Sequence, residues 1–306
     1  MAAPVVAAPL TPMAPETAHH ATPLLAPMRV LLAIASFLSL GIGIPLIIFS
    51  DYTDKFFLWP VDPPLSAAFL GACYLAGGVF ELVAARQRTW EQARIAVPGV
   101  LIFSLITLAI TLSAHERLDL LRPAAAPWVI VYTAYPAAAG LLWRRQAPAR
   151  SQQKSAAAGA ESPPADALPP SLRLAMALAG AALLGAGLAL LTFPEPAGRL
   201  WPWDPSPPGA YADMAGMEPY FGAWLLGIGA VALHAAWENR AWRLRPMFAG
   251  AVALGLALAL LLPRSAGVMS WSRPGAWVFG GAIVWLLMLG GWGLRCAGGS
   301  ARAGGT

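Results

Sequence analysis

Eight runs of about twenty residues pass through this chain almost without a charged side chain. A bilayer's hydrocarbon core is about 30 Å thick and an α-helix rises 1.5 Å per residue, so each run is long enough to cross it as a helix. The runs lie near 30–49, 65–85, 95–113, 124–143, 172–193, 219–237, 246–262 and 275–294. The first, VLLAIASFLSLGIGIPLIIF, contains no charge at all, and the seventh is the shortest, closed at both ends by Pro246 and Pro263. Hydrocarbon offers backbone N–H and C=O groups no partner, which leaves the α-helix as the conformation for runs of this length. The pattern predicts an all-α, polytopic membrane helix bundle of eight spans.

Composition closes the alternatives. Hydrophobic residues make up 58% of the 306 and charged residues only 11%, against about 25% charged in soluble domains. A water-soluble globule, a disordered chain and a disulfide-stapled module are excluded. The pI of about 9.6 does not mark a nucleic-acid binder, because the basic residues flank apolar runs and form neither a stripe nor a tail. The partner this chemistry calls for is the lipid bilayer. Eighteen of the twenty basic residues are arginine, and Ala, Gly, Pro and Leu are heavily used; together these suggest a GC-rich bacterial source. Cys73 and Cys296 stand far apart in the sequence, with no metal-ligand spacing around either.

Counting Lys and Arg on alternate sides of the spans sets the expected orientation. The N-terminal segment, the 86–94, 144–173 and 238–245 connections and the C-terminal tail hold fourteen of the twenty. Both termini are therefore expected in the cytoplasm, with the protein in a bacterial inner membrane. The opposite connections are the acidic ones, holding Asp51, Asp54, Asp62, Glu195, Asp204, Asp213 and Glu218. Residues 1–27, Pro-rich and without Lys or Arg, lack the basic start of a secretory signal and read as a flexible cytoplasmic tail. His19 and His20 within it read as incidental. Residues 151–170, SQQKSAAAGAESPPADALPP, form a cytoplasmic linker of small and polar residues, and 296–306 a second tail.

The chain also repeats itself. Trp59-Pro60-x-Asp62-Pro63 follows the first span and Trp201-Pro202-x-Asp204-Pro205 the fifth. Each is followed by a span ending in a basic loop with a tryptophan, RQRTWEQAR and ENRAWRLR, and each half closes with a span opening near Trp128 or Trp277. Residues 28–150 and 171–295 thus read as tandem four-span repeats. An even number of spans per repeat gives both halves the same orientation, about an axis along the membrane normal. The WPW-x-x-P loop after a first span, followed by a basic Trp-containing loop, resembles a group of uncharacterised bacterial multi-pass membrane proteins. The first half departs from that pattern in having Val61 where the second has Trp203. The resemblance implies a fold and no site.

Three groups of residues are candidates for function. The loop elements Trp59, Asp62, Trp201, Trp203 and Asp204 have a structural explanation: Trp favours the membrane interface, and Asp before Pro is a natural helix start, with Asp as N-cap. The alternative is a site on the outer face for a cation or polar substrate. Glu81 is the acid clearly inside a span, and a charge there costs about 2.5–3.5 kcal/mol unless paired or protonated. Its own helix places only Ala84 and Ala85 at i+3 and i+4, so it is expected to reach the headgroup region or to pair with an arginine of another helix, the alternative being a proton or substrate role. His234 lies at nearly the same depth in the sixth span, with Glu238 at i+4; it reads as a packed or interfacial histidine, the alternative being that Glu81 and His234 face one another across the repeat axis.

Other chemistry finds no support in the sequence. A haem bundle needs histidines on facing spans, and only His234 is so placed. The in-span glycines suit close helix packing and not a phosphate loop, and no nucleophile–base spacing occurs. No cofactor or metal is expected. The leading function is a small transporter or permease-like protein with its path between the halves. A non-catalytic membrane assembly protein is second, and a lipid-processing enzyme using outer-face acids third.

Overall fold

A computed structural model describes residues 22–113, 124–146, 167–203 and 217–303. The described chain is helical, and eight helices are long and apolar enough to cross a membrane. They are α1 (Ala26–Ile48), α2 (Pro64–Ala85), α3 (Ala96–Ser113), α4 (Ala125–Gln146), α5 (Pro170–Thr192), α6 (Glu218–Glu238), α7 (Arg245–Ser265) and α8 (Pro274–Ala303, apolar to Ala297). The expected spans are all present. The seventh is longer than its prolines suggested: Pro246 sits in the first turn, where a missing N–H costs nothing, and α7 runs through Pro263 to Ser265.

The starts of α1, α3, α5 and α7 lie at one end of the bundle, here called basal, and the WPxDP loops at the other, distal end. At the basal end residues 22–25 are pinned rather than free. Leu24 N–H donates to the Arg88 carbonyl (3.1 Å), Trp90 N–H to the Thr22 carbonyl (2.8 Å), and Leu25 N–H to Gln146 Oε1 (3.1 Å). The predicted 1–27 tail therefore ends earlier, its last residues fastening α1 to the α2–α3 turn and to the end of α4. His19 and His20 lie outside the described residues. In the second half Asn239 takes the left-handed conformation that closes α6 (φ 51°), a role short polar side chains tolerate, and its Oδ1 accepts from Leu168 N–H at 3.2 Å. Arg29 donates to the Gln87 carbonyl (3.4 Å) and Arg173 to that of Ala236 (2.9 Å), each placing a cation at a helix C-terminal end.

Small residues let backbones touch. A Cβ added at Gly71 of α2 would lie 2.7 Å from the Gly43 carbonyl of α1, and one at Gly222 of α6 would lie 2.8 Å from the Gly187 carbonyl of α5. Gly78 is filled by Leu40, and Gly229 by Leu184. Between these pairs, Gly99 of α3 meets the Gly227 carbonyl of α6, and Gly250 of α7 meets Phe80 and the Ala76 carbonyl of α2. Such contacts drive association where no hydrophobic force separates helix from lipid. The neighbours follow: α2 packs on α1 and α7, α6 on α5 and α3, α3 on α4, and α7 on α8. Helices α2 and α6 are the most buried of the eight, whereas α5 and α8 barely touch.

Candidate functional site

Six polar side chains of the spans line one large, mostly apolar space that is partly open at the bundle surface. A cavity of about 1660 Å³ is lined by residues from all eight helices. The edge of Trp224 on α6 leans against Gly77 on α2, where a Cβ would lie 3.2 Å from the ring, so the central helices meet within it. On the side bounded by α1, α3 and α4 the lining holds Ser39, Tyr74, Glu81, Ser104, Tyr132 and Tyr135. On the side bounded by α5, α7 and α8 it is Ala, Gly, Leu and Met with aromatic carbon.

Glu81 is 3% exposed. Its Oε2 accepts from Ser39 Oγ of α1 at 3.1 Å, and the Tyr135 phenol of α4 lies beside the same carboxylate. One turn pair away, the Tyr74 and Tyr132 hydroxyls share a hydrogen bond of 2.6 Å. Phe103 lies 4.0 Å from Trp224 between ring centroids, and Tyr74 stands edge-on to Trp224 at 5.0 Å. Above them Trp128 Nε1–H donates to Thr111 Oγ1 at 3.1 Å. Of these residues only Glu81 was singled out by the sequence. The signal for the others was three tyrosines deep within apolar runs, away from the span ends where Tyr is ordinarily enriched.

Glu81 turns to α1 and α4, and His234 Nε2 lies 3.9 Å from Glu238 on its own helix. Glu238 is itself taken by two guanidiniums, those of Arg94 and Arg243. This basal clasp joins the start of α3 to the α6–α7 turn, and its members do not line the cavity. The two acids thus keep different partners: the carboxylate at the polar end of α6 has arginines within reach, and the one inside the bundle has a hydroxyl. Arg94 was invisible as a partner because it is far from Glu238 in sequence.

At the distal end the tryptophans Trp59, Trp201 and Trp203 pack inward. The expectation of Asp62 as an N-cap is corrected: α2 begins at Pro64 with Pro63 as its capping residue, and no side chain caps it. A residue before proline is pushed to extended backbone, and Pro63 has ψ 161°, so Asp62 sits one position too early and is exposed. Trp203 is not an interface anchor either; it is 1% exposed, and its Nε1–H donates to Ser66 Oγ of α2 at 3.1 Å. Trp201 stacks on Phe221 (5.1 Å, 24°) and meets Phe69 edge-on (5.4 Å). Trp59 lies over Tyr220 at 4.7 Å and against Trp128 at 5.4 Å. With Trp203 buried and Trp59 and Trp201 half-buried, these indoles wedge loop against bundle. Asp204 lies outside the described residues, so a pairing of the two aspartates has no geometry to report.

Among the described residues no three His, Cys, Asp or Glu side chains come close enough to hold a metal ion, and both cysteines are free thiols. Neither a protein-family model, nor a curated protein, nor a solved structure matches the chain. Function therefore has to be argued from the cavity. Eight apolar helices fit an integral membrane protein; a large internal space with one buried carboxylate and several hydroxyls on one wall is what this one offers a ligand.

Proposed function

We propose that the protein is a small permease-like transport protein whose substrate occupies the internal cavity. The observation that carries this reading is the convergence of Ser39, Tyr74, Glu81, Ser104, Tyr132 and Tyr135 on one space. A bundle whose role is only to assemble with partners has no reason to gather its scarce in-span polar groups around a void, because each such group is costly in hydrocarbon.

The reading includes a tandem duplication, with two parallel four-span halves and the path at their interface. What supports it is a set of contacts that recur in the same relative places. Gly43 meets Gly71 as Gly187 meets Gly222, and Gly99 meets α6 as Gly250 meets α2. Arg29 and Arg173 cap the helices after their own. Trp59 crosses to Tyr220 and Trp201 to Phe69. Cytoplasmic termini in a bacterial inner membrane are part of the same proposal, supported by the arginine distribution of the connections.

Reconstitution tests it. Vesicles holding the protein are offered labelled amines, amino acids, sugars and lipid-soluble ions in turn. At least one class is expected to cross faster than in vesicles holding the Glu81→Gln variant or no protein. If no class exceeds protein-free vesicles, the transport reading is overturned.

A further inference from the structure

We infer that the α1–α4 side of the cavity is a binding site for a lipophilic monocation that arrives from the bilayer, its charge held by Glu81 and its body by the surrounding aromatic wall. The inference rests on the reading of the cavity as a substrate site and names the class of substrate.

Three observations lead there. The first is the charge state of the pocket. The two groups that contact Glu81, Ser39 and Tyr135, are neutral hydroxyls, and among the described residues no Lys, Arg or His pairs with it. The cations of the bundle are engaged elsewhere, Arg94 and Arg243 on Glu238 and Arg264 on Asp51. A buried carboxylate without a counter-charge is an expensive group in a membrane and by default marks a path for an ion or substrate. A cation supplied by the ligand completes it.

The second is the wall beside it. Tyr74, Phe103, Trp128, Tyr132 and Trp224 all line the cavity, and indole and phenol faces attract cations, most strongly when water is excluded. Carboxylate and ring faces select the same sign of charge. They do not suit a small hard cation, which takes six or more oxygen ligands in the case of Ca²⁺; the oxygens here are few and the remaining surface is carbon.

The third is access and size. Phe37 of α1 and Phe49 just past its end line the cavity although they are 75% and 52% exposed on the bundle's outer surface. The space therefore opens sideways, to where lipid chains lie, as well as inward. Its volume of about 1660 Å³ exceeds the roughly 300–1,000 Å³ of ordinary small-ligand pockets, which leaves room for a bulky apolar ion.

The test uses tetraphenylphosphonium on the full chain in lipid nanodiscs, read by tryptophan quenching and by equilibrium dialysis of the labelled ion. Saturable binding is expected. Tetraphenylborate, of the same shape and opposite charge, is expected to show only the partitioning seen in empty nanodiscs. Glu81→Gln is expected to weaken phosphonium binding at least tenfold, and Glu81→Asp to retain it. Equal saturable binding of the two ions by the unmodified protein overturns the inference whether or not any variant folds, and so does a folded Glu81→Gln protein that binds as the parent does. Charge-selective binding without flux supports the inference and defeats only the transport reading. Flux of some other class, with no discrimination between the two ions, does the reverse.

Discussion

Two buried carboxylates of this molecule, one near the basal end of each central helix, are treated in opposite ways. Glu81 lies within the bundle among hydroxyls, and among the described residues no Lys, Arg or His pairs with it. Glu238 lies at the basal end of α6, clasped by Arg94 and Arg243. On the tandem duplication proposed above, each acid can be set against what the other half has in its place. Glu81 follows Gly78 by three positions, as Ala232 follows Gly229, and Ser39 precedes Leu40 as Leu183 precedes Leu184. Glu238 corresponds in the same way to Gln87, whose Nε2 donates to the Val83 carbonyl one turn back at 2.7 Å. Backbone contacts are thus kept in both halves while the ionisable chemistry is not. A saturated ion group is architecture, and an acid left without its counter-charge is available to a ligand.

The contrast is sharpest if the clasp is cut. Glu238→Ala leaves two arginines facing each other, and breaking a buried pair in this way costs about 3–5 kcal/mol. A large fall in detergent melting temperature is expected. By contrast Glu81→Gln keeps shape and hydrogen bonds, and its melting temperature is expected within a few degrees of the parent. Similar losses for the two variants would break the comparison.

Moving the acid to the other half comes next. Ala232→Glu places a carboxylate where the α5–α8 side offers no hydroxyl, and about 2.5–3.5 kcal/mol is the cost of an unrelieved acid at membrane depth. Chemical denaturation in mixed micelles is the measurement. A neutral result would mean that the two walls do not differ in the polar sense described.

The shared framework predicts equal effects. Gly71→Ala and Gly222→Ala each drive a methyl into a backbone carbonyl, at 2.7 and 2.8 Å, and overpacking of this kind costs about 1–3 kcal/mol. Gly41→Ala and Gly185→Ala, with nothing within 4 Å, are expected to be neutral or to gain up to about 1 kcal/mol of helix propensity. Loss at 71 without loss at 222, in the same melting assay, would argue against a common design.

The smallest effects lie in the loops. Trp203→Phe removes the indole donor from Ser66 and is expected to cost about 1 kcal/mol. Asp62→Ala, exposed and one residue short of the capping position, is expected to stay within about 0.5 kcal/mol. A loss of 1 kcal/mol or more at Asp62 would restore the capping role that the geometry denies it.

How much of this was legible in the sequence depends on range. Span number and placement follow from length and hydropathy, which are local properties, and so does the basic character of the turns. The site was legible only as Glu81 standing in an apolar run. Its neighbours Ser39 and Tyr135 come from two other helices, and no periodicity within α2 points to them. Trp201 and Trp203 were misread because an indole at a span end suits the lipid interface and the bundle interior equally well, and only the facing helix decides. The Asp62 error was local: with two consecutive prolines, the first is held extended by the second, and the helix starts one residue later than a single Asp-Pro pair would set it.

The contact between Trp224 and Gly77 deserves one more inference about shape. Because position 77 carries no side chain, the indole can rest directly on the α2 backbone, and the space on either side of it is continuous only as far as that ring allows. A methyl there would stand 3.2 Å from the ring, displacing Trp224 toward Phe103 and narrowing the aromatic side. A single hydrogen atom, in effect, sets how closely the indole of α6 approaches α2.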